Sequence, residues 1–342
     1  MSRICDLVIL LKWICFGPKL RYMKKIKEKF VPSAEQMALM PDVSGNDLNG
    51  LGETEIRRPS PIYWQTPELT PFGPLMQFFV DNAPRDQKLY ETQMNTDKIR
   101  DTTVPPVSPN RIEKSSTDWA KLLKDVGLEN GAVAVGITQM KPEWVIDTFD
   151  VPYETVVTIG VAMDFGNLKT APEVPSAIEV IKKYGEAHQV THAIATWIHS
   201  QGWDAVSYGG SNNVPILLIP PALESGLGEL GKHGSLINRE NGSVLRLGGL
   251  VTNMPLDIDN SDNFGLDHFC LNCKACQNAC PPEAIHSEKK MVRGNEKWYV
   301  DFDKCLPFFN ENTGCGICLA VCPWARPGVP GNLIKKIAKK YL

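Results

Sequence analysis

Between Cys15 and Cys270 the chain has no cysteine, although its 342 residues hold ten. That gap excludes a disulfide scaffold, which spreads its cysteines along a short secreted chain. Long hydrophobic runs are missing too. The apolar stretch near the start, Ile4–Phe16, is broken by Asp6 and Lys12 and is too short to span a bilayer. No small-residue cleavage site follows it, and no twin-arginine signal precedes it. A net charge of only −3 points to no nucleic-acid partner. No internal repeat recurs at a period of roughly 20–50 residues.

Apolar residues make up 43% of the chain and charged residues 22%, the composition of a soluble globular protein with a substantial core. Charge is unevenly spread. Residues 1–30 carry eight basic side chains against Asp6 and Glu28, about +6, so the remainder is acidic. Such a start suits either peripheral contact with an anionic membrane face or a packed helix in a cytoplasmic protein. Eight of the ten cysteines fall between Cys270 and Cys322. Crowding of that kind reads as metal ligation in a reducing compartment. Cys5 and Cys15 have no partner spacing and are expected to be unligated.

Five segments follow from composition and period. Residues 1–30 are the basic, apolar start. Residues 31–114 are rich in proline and polar residues, with aromatic islands such as Phe72–Phe79, and read as an irregular arm that wraps a core. Residues 115–262 alternate helix and strand patterns, the mark of an α/β (α+β) core. Asp118 is placed to cap a helix bearing Trp119, Leu122, Leu123 and Val126 on one face, with Gly127 ending it. Strands are expected at Ala132–Ile137, Val156–Met163, Ala205–Ser207, Ile216–Ile219 and Leu247–Val251. The longest helix is expected at Ala177–Gln201, closed by Gly202. Residues 263–328 form a small cluster domain. Residues 329–342 form a basic helix with Ile334, Ile337 and Tyr341 on one face, read as a docked terminal helix with a solvated lysine side.

The cluster domain carries the strongest signal. Its first run is Cys270-x2-Cys273-x2-Cys276-x3-Cys280-Pro281, and its second is Cys305-x9-Cys315-x2-Cys318-x3-Cys322-Pro323. This is the bacterial ferredoxin pattern for two [4Fe-4S] clusters, in which the fourth cysteine of each run ligates the other cluster. One cluster is therefore expected on Cys270, Cys273, Cys276 and Cys322, and the other on Cys305, Cys315, Cys318 and Cys280. Paired zinc sites need four ligands each and have no use for the interleaved spacing.

Upstream, a succession of short motifs resembles the corrinoid-dependent reductive dehalogenases, and more distantly the epoxyqueuosine reductases. Gly228-Glu229-Leu230-Gly231-Lys232-His233-Gly234 looks like the family's "GE-x-GR-x-G" turn. Val251-Thr252-Asn253-Met254-Pro255-Leu256 looks like its "TDLPL" strand end, with Asn253 where Asp is usual. Gly202-Trp203-Asp204-Ala205 resembles "LGY-x-A", and Val161-Ala162-Met163-Asp164 resembles the strand ending in "MD". The resemblance covers about residues 55–325. It implies a nitroreductase-like, cobalamin-binding core that receives electrons from the two-[4Fe-4S] ferredoxin-like domain. The chain lacks Asp-x-His-x-x-Gly, which fits a corrinoid without a lower histidine ligand.

The resemblance also implies roles for single residues. Tyr184 stands where the family has its proton donor, and Arg246 where a Lys or Arg assists it. A cation near a phenol favours phenolate, so the proton leaves more readily, and Arg keeps its charge when buried. Asn213, or equally Asn212, matches an asparagine that faces substrate. Ser211, Asn212, Gly231 and Lys232 are the implied cofactor contacts. The alternative for Tyr184 is an amphipathic core tyrosine. His188, His192 and His199 share its helical face, but no acidic third ligand accompanies them, so packed histidines are the better reading. Gly226-x-Gly228-x-x-Gly231 matches a dinucleotide fingerprint without the strand and acidic residue that NAD binding needs.

The function expected is reductive removal of halogen from an organohalide, fed by a one-electron donor such as a ferredoxin or flavodoxin, without nucleic acid. A cytoplasmic, catabolic setting is expected from the missing export signal, with the inner membrane face as a peripheral contact. Two rivals stand beside it: an epoxyqueuosine-reductase-like tRNA-modifying enzyme, and a ferredoxin-like electron carrier without corrinoid.

Overall fold

In the computed structural model, which describes residues 29–210 and 214–341, the run around Val156 becomes the middle of a sheet. β1 (Ala134–Gln139) pairs antiparallel with β2 (Thr155–Ala162), Ala134 opposite Gly160. β3 (Ala205–Gly209) takes the other edge. β4 (Glu229–Leu230) and β5 (Leu236–Ile237) make a separate two-stranded ribbon. β6 (Leu245–Thr252) lies between β2 and β3, so the order is β1-β2-β6-β3 with every pairing antiparallel.

The helix Val174–Ser200 covers one face of this sheet. Pro175 suits its first turn, where the missing N–H has no partner to lose. Gly202 (φ +83°) ends it as expected, because a Cβ there would overlap the Asn110–Arg111 backbone. Ile194, Ile198 and Val190 on the helix meet Ile137, Val157, Ile159 and Leu250 of the sheet, with Trp119 and Leu123 closing the core from the side. Ile194→Ala is expected to cost about 2–5 kcal/mol through the cavity it leaves. Leu128→Ala, at a half-exposed position, should cost within about 0.5 kcal/mol. Urea unfolding midpoints compare the two.

Several boundaries differ from expectation, each for a local reason. The helix Ser116–Glu129 is capped by the Ser115 hydroxyl, with Asp118 in its first turn. Gly127 does not end it; the glycine is buried where Val135 of β1 packs close, leaving no room for a side chain. Ile216 makes only an isolated bridge to Val145, and Ile219–Glu224 is a helix opened by Pro220 and Pro221. The arm is not irregular throughout. It holds the helices Gly73–Asp81 and Gln87–Arg100, the second packed on the long helix where Thr96 donates to the Ile181 carbonyl.

The arm also reaches the cluster segment. Ser44 and the Gly45 amide bind the Asp303 carboxylate, and Asn46 spans Asp301, Tyr299 and the Phe302 amide. Gln36 and Ser33 bind Glu311. Phe72, Leu75 and Ile62 complete an apolar cluster with Leu306. β7 (Lys290–Val292) and β8 (Asn295–Lys297) form a hairpin between the two cysteine runs. The terminal helix Val329–Tyr341 docks through buried Ile337, beside Leu333 and Ile334, on the cluster around Trp324. No described helix is long and apolar enough to cross a membrane. Residues 1–28 of the basic start, with Cys5 and Cys15, lie outside the described residues, as does Leu342.

Candidate functional site

The cysteine runs are short helices broken by turns, which aim successive thiols inward. Cys270 lies in the helix Leu266–Asn272 and Cys276 in Ala275–Ala279, while Cys273 and Cys280 take extended backbone just past each helix. Glu229 supports this start from outside, accepting from the Phe264 and Leu266 amides at 2.7 and 3.1 Å. A carboxylate at a helix N-terminus satisfies donors that would otherwise be unpaired. Cys315 has φ +53° between Gly314 and Gly316, a left-handed turn that costs a non-glycine residue energy and is found at functional sites. After Cys322, proline offers no N–H, and the Ala325 amide donates to the Cys322 carbonyl at 3.0 Å.

All eight thiols are free of disulfides. Cys270, Cys273, Cys276 and Cys322 line one small cavity of about 10 Å³. Lys232, His233 and Trp324 complete its wall. Cys322 thus leaves its own run and joins the first three cysteines. In the other group, Cys305 lies near Cys280 and Cys315, and Cys318 near all three and also near Cys276 of the first group. The thiols of the first group surround a volume, and among the described residues no three His, Cys, Asp or Glu side chains converge on a single-ion site. Eight thiols in two groups of four match the ferredoxin pattern for two [4Fe-4S] clusters.

Burial pushes the Cys270, Cys276 and Cys305 thiols up to about 12 and Cys315 up to about 11. Four buried thiolates repel one another, and only a positive centre among them makes deprotonation favourable. Iron supplies that charge in the ferredoxin pattern.

Tyr184 and Arg246 are brought together. The Arg246 guanidinium lies 5.2 Å from the centre of the Tyr184 ring, the tyrosine on the long helix and the arginine on β6. Arg246 Nε is buried with no hydrogen-bond partner among the described residues. The end of β3 comes close by: a Cβ on Gly209 would overlap the His188 ring, and one on Gly210 would overlap the Leu247 carbonyl. Ser211, Asn212 and Asn213, which follow directly, lie outside the described residues.

His188 is buried, and burial together with neighbouring His192 and Arg100 pushes it down to about 4. It is therefore neutral at pH 7, with no acidic proton to rival the tyrosine's. His192 is also pushed down by burial. His199 is a satisfied core histidine, its Nδ1 donating to the Pro105 carbonyl and its Nε2 accepting from the Ala205 amide at 3.2 Å.

Gly231 and Lys232 lie beside the first group of cysteines. Gly231 packs on the His233 ring, and Lys232 faces the first cysteine cavity, where its Nζ donates to the Cys273 carbonyl at 3.1 Å. The glycine-rich stretch runs from helix to strand, Gly226 following Ile219–Glu224 and leading to β4, the reverse of a dinucleotide fold. A larger cleft of about 560 Å³ runs past Trp144, Glu224, Glu229, Lys297 and Trp298. Neither Tyr184 nor Arg246 lines it. His233 lay inside the Gly228–Gly234 motif and Trp324 just past the second cysteine run, neither with a role assigned, and Ser243 had no sequence signal.

Residues 269–325 match the 4Fe-4S dicluster domain family. Over a longer span, a tetrachloroethene reductive dehalogenase of Desulfitobacterium hafniense is 31% identical across 248 residues, 68% of this chain and 44% of that relative. The chain belongs to the reductive dehalogenase family. It spans less than half the length of that curated relative. A reductive dehalogenase whose structure suggests a mechanism for B12-dependent dehalogenation superposes with a TM-score of 0.63 at 23% identity, over 72% of this chain and 38% of that one. A catabolic reductive dehalogenase in complex with 3-bromo-4-hydroxybenzoic acid superposes with a TM-score of 0.68 at 20% identity, over 89% and 47%. At those identities the likeness is one of fold: a reductive dehalogenase core followed by its dicluster domain.

Proposed function

We propose that this chain reductively dehalogenates an organohalide, using two [4Fe-4S] clusters and a corrinoid held in a nitroreductase-like core. The observation that carries this reading is the Tyr184–Arg246 pair, set in a fold whose cysteines gather as two crossed sets of four. In balance, the organohalide, two electrons and one proton give the hydrocarbon and a halide ion. The bound corrinoid would supply the cobalt-centred reduction of the carbon–halogen bond.

The chain's own residues supply the rest. Cys270, Cys273, Cys276 and Cys322 would hold the cluster that abuts the core, and Cys280, Cys305, Cys315 and Cys318 the outer one. A ferredoxin- or flavodoxin-like donor would deliver electrons singly. Tyr184 donates its phenolic proton to carbon, and Arg246 stabilises the phenolate left behind. The unpaired Arg246 Nε suits a pocket whose remaining polar partner is a bound molecule. Ser211 and Asn212 would contact the corrinoid, and Asn213 the substrate. Gly231 and Lys232 would be further cofactor contacts, Lys232 standing also on the wall of the first cysteine cavity.

Anaerobic reconstitution with cobalamin tests this. The loaded chain is expected to hold about eight iron and eight sulfide with one cobalt, and to release halide from brominated and chlorinated phenols or alkenes under a strong one-electron reductant. Conversion of epoxyqueuosine in tRNA without halide release would transfer the assignment to the tRNA-modifying reading. Clusters without cobalt would leave an electron carrier.

A further inference from the structure

Lys232 is a buried ammonium without a counter-charge. It is 2% exposed, its Nζ meets only the Cys273 carbonyl and the Trp298 ring at 4.9 Å, and no carboxylate among the described residues pairs with it. Burying an unpaired cation is strongly unfavourable, so its surroundings are completed by a negative group. The wall it stands on is that of the first cysteine cavity.

Other donors around this cavity are also unmet. His233 Nδ1 accepts from the Ser235 amide at 3.2 Å, which leaves the hydrogen on Nε2, and that Nε2 is buried without a partner. Trp324 Nε1 is orphaned in the same way. The Ser243 hydroxyl finds no nitrogen or oxygen and lies against the Cys322 sulfur. One ammonium and three unsatisfied donors thus surround four thiols. A thiolate-bound iron–sulfur cluster, negative overall and more negative once reduced, answers all of them.

The second group sits in a different field. Cys305 lies one turn into a helix whose N-cap is the Asp301 carboxylate, itself paired loosely with Lys304 at 3.8 Å, and Glu283 is close to Cys280. Negative charge near a cluster disfavours adding an electron, while a cation and hydrogen bonds to sulfur favour it.

We propose that Lys232 and His233 are positioning residues for the redox level of the first cluster, holding it more easily reduced than the second so that electrons collect beside the core. The proposal rests on the cluster assignment made above. The step itself is transfer of one electron from the reduced second cluster to the oxidised first, with no bond formed or broken, and the one-electron donor supplies the electron.

Redox titration of the full chain, both clusters loaded and followed by EPR, provides the test. Lys232→Met is expected to make the first cluster at least tenfold harder to reduce at fixed potential, about 59 mV for a one-electron couple. Lys232→Arg keeps the charge and should stay near wild type, and the second cluster should not move in either variant. An unmoved first midpoint, or an equal shift in both clusters, overturns the proposal. If Lys232→Met cannot hold its first cluster, wild-type protein labelled with ¹⁵N-histidine decides the matter. Pulsed EPR of the reduced first cluster should detect a histidine nitrogen, and its absence overturns the assignment. Failure of the underlying cluster reading looks different: zinc without sulfide, and no cluster signal to titrate.

Discussion

Replacing Tyr184 with phenylalanine is expected to leave both clusters and the corrinoid in place and to cut halide release by ~10²–10⁴-fold, the usual worth of a positioned general acid. Only the phenolic oxygen is lost. The ring that packs against the Arg246 guanidinium is retained, so the helix and β6 should keep their spacing. His188 cannot take over the role, because burial leaves it neutral with its pKa near 4. Arg246→Met should fall further than Arg246→Lys, which preserves the charge that stabilises phenolate but gives up the planar fork. Halide release across brominated and chlorinated substrates measures all three. Wild-type rates for Tyr184→Phe on every accepted substrate would remove the tyrosine from the chemistry.

Cys322→Ala is the second large effect expected. It should abolish the cluster on Cys270, Cys273 and Cys276, halve the iron to about four atoms, and spare the cluster on Cys305, Cys315 and Cys318. Cys280→Ala should do the reverse. Cys322 lines the same cavity as the first three cysteines, and Cys280 lies near Cys305 and Cys315. Iron analysis with EPR of the remaining cluster reads the outcome. Loss confined to the mutated cysteine's own run would refute the crossing.

The cysteine grammar was legible because ligation is enforced locally. Fixed spacings bring thiols together whatever surrounds them, and the Cys-Pro ending carries the chain across. The central strand and the long helix were legible from unbroken or periodic apolar runs, with three of their four ends misplaced by one residue and the start of the helix by three. Tyr184 and Arg246 have no local relation, and their nearness could be anticipated only through family resemblance. The helix Gln87–Arg100 was hidden because it buries only Leu89 and Thr96 and takes its stability from packing on another helix. Ser115 and Asp118 are both good capping residues three positions apart, and the sequence alone does not choose between them. The surroundings of Lys232 were not legible, because a motif gives a residue's place in the chain and not the wall it faces.

The hydrogen bonds from the arm to the cluster segment have a consequence for how the molecule is made. Ser44 and Asp303 are 259 positions apart, and Gln36 and Glu311 are 275 apart. Contacts of such high sequence separation raise the contact order and slow folding. During synthesis the arm emerges first and waits, its polar residues unpartnered, until the chain has grown past position 311. Insertion of iron and sulfide and closure of the arm therefore converge late in biogenesis. A chain caught before that convergence would present its cysteines to oxygen and its arm to proteases together, so the same partially assembled species should be sensitive to both.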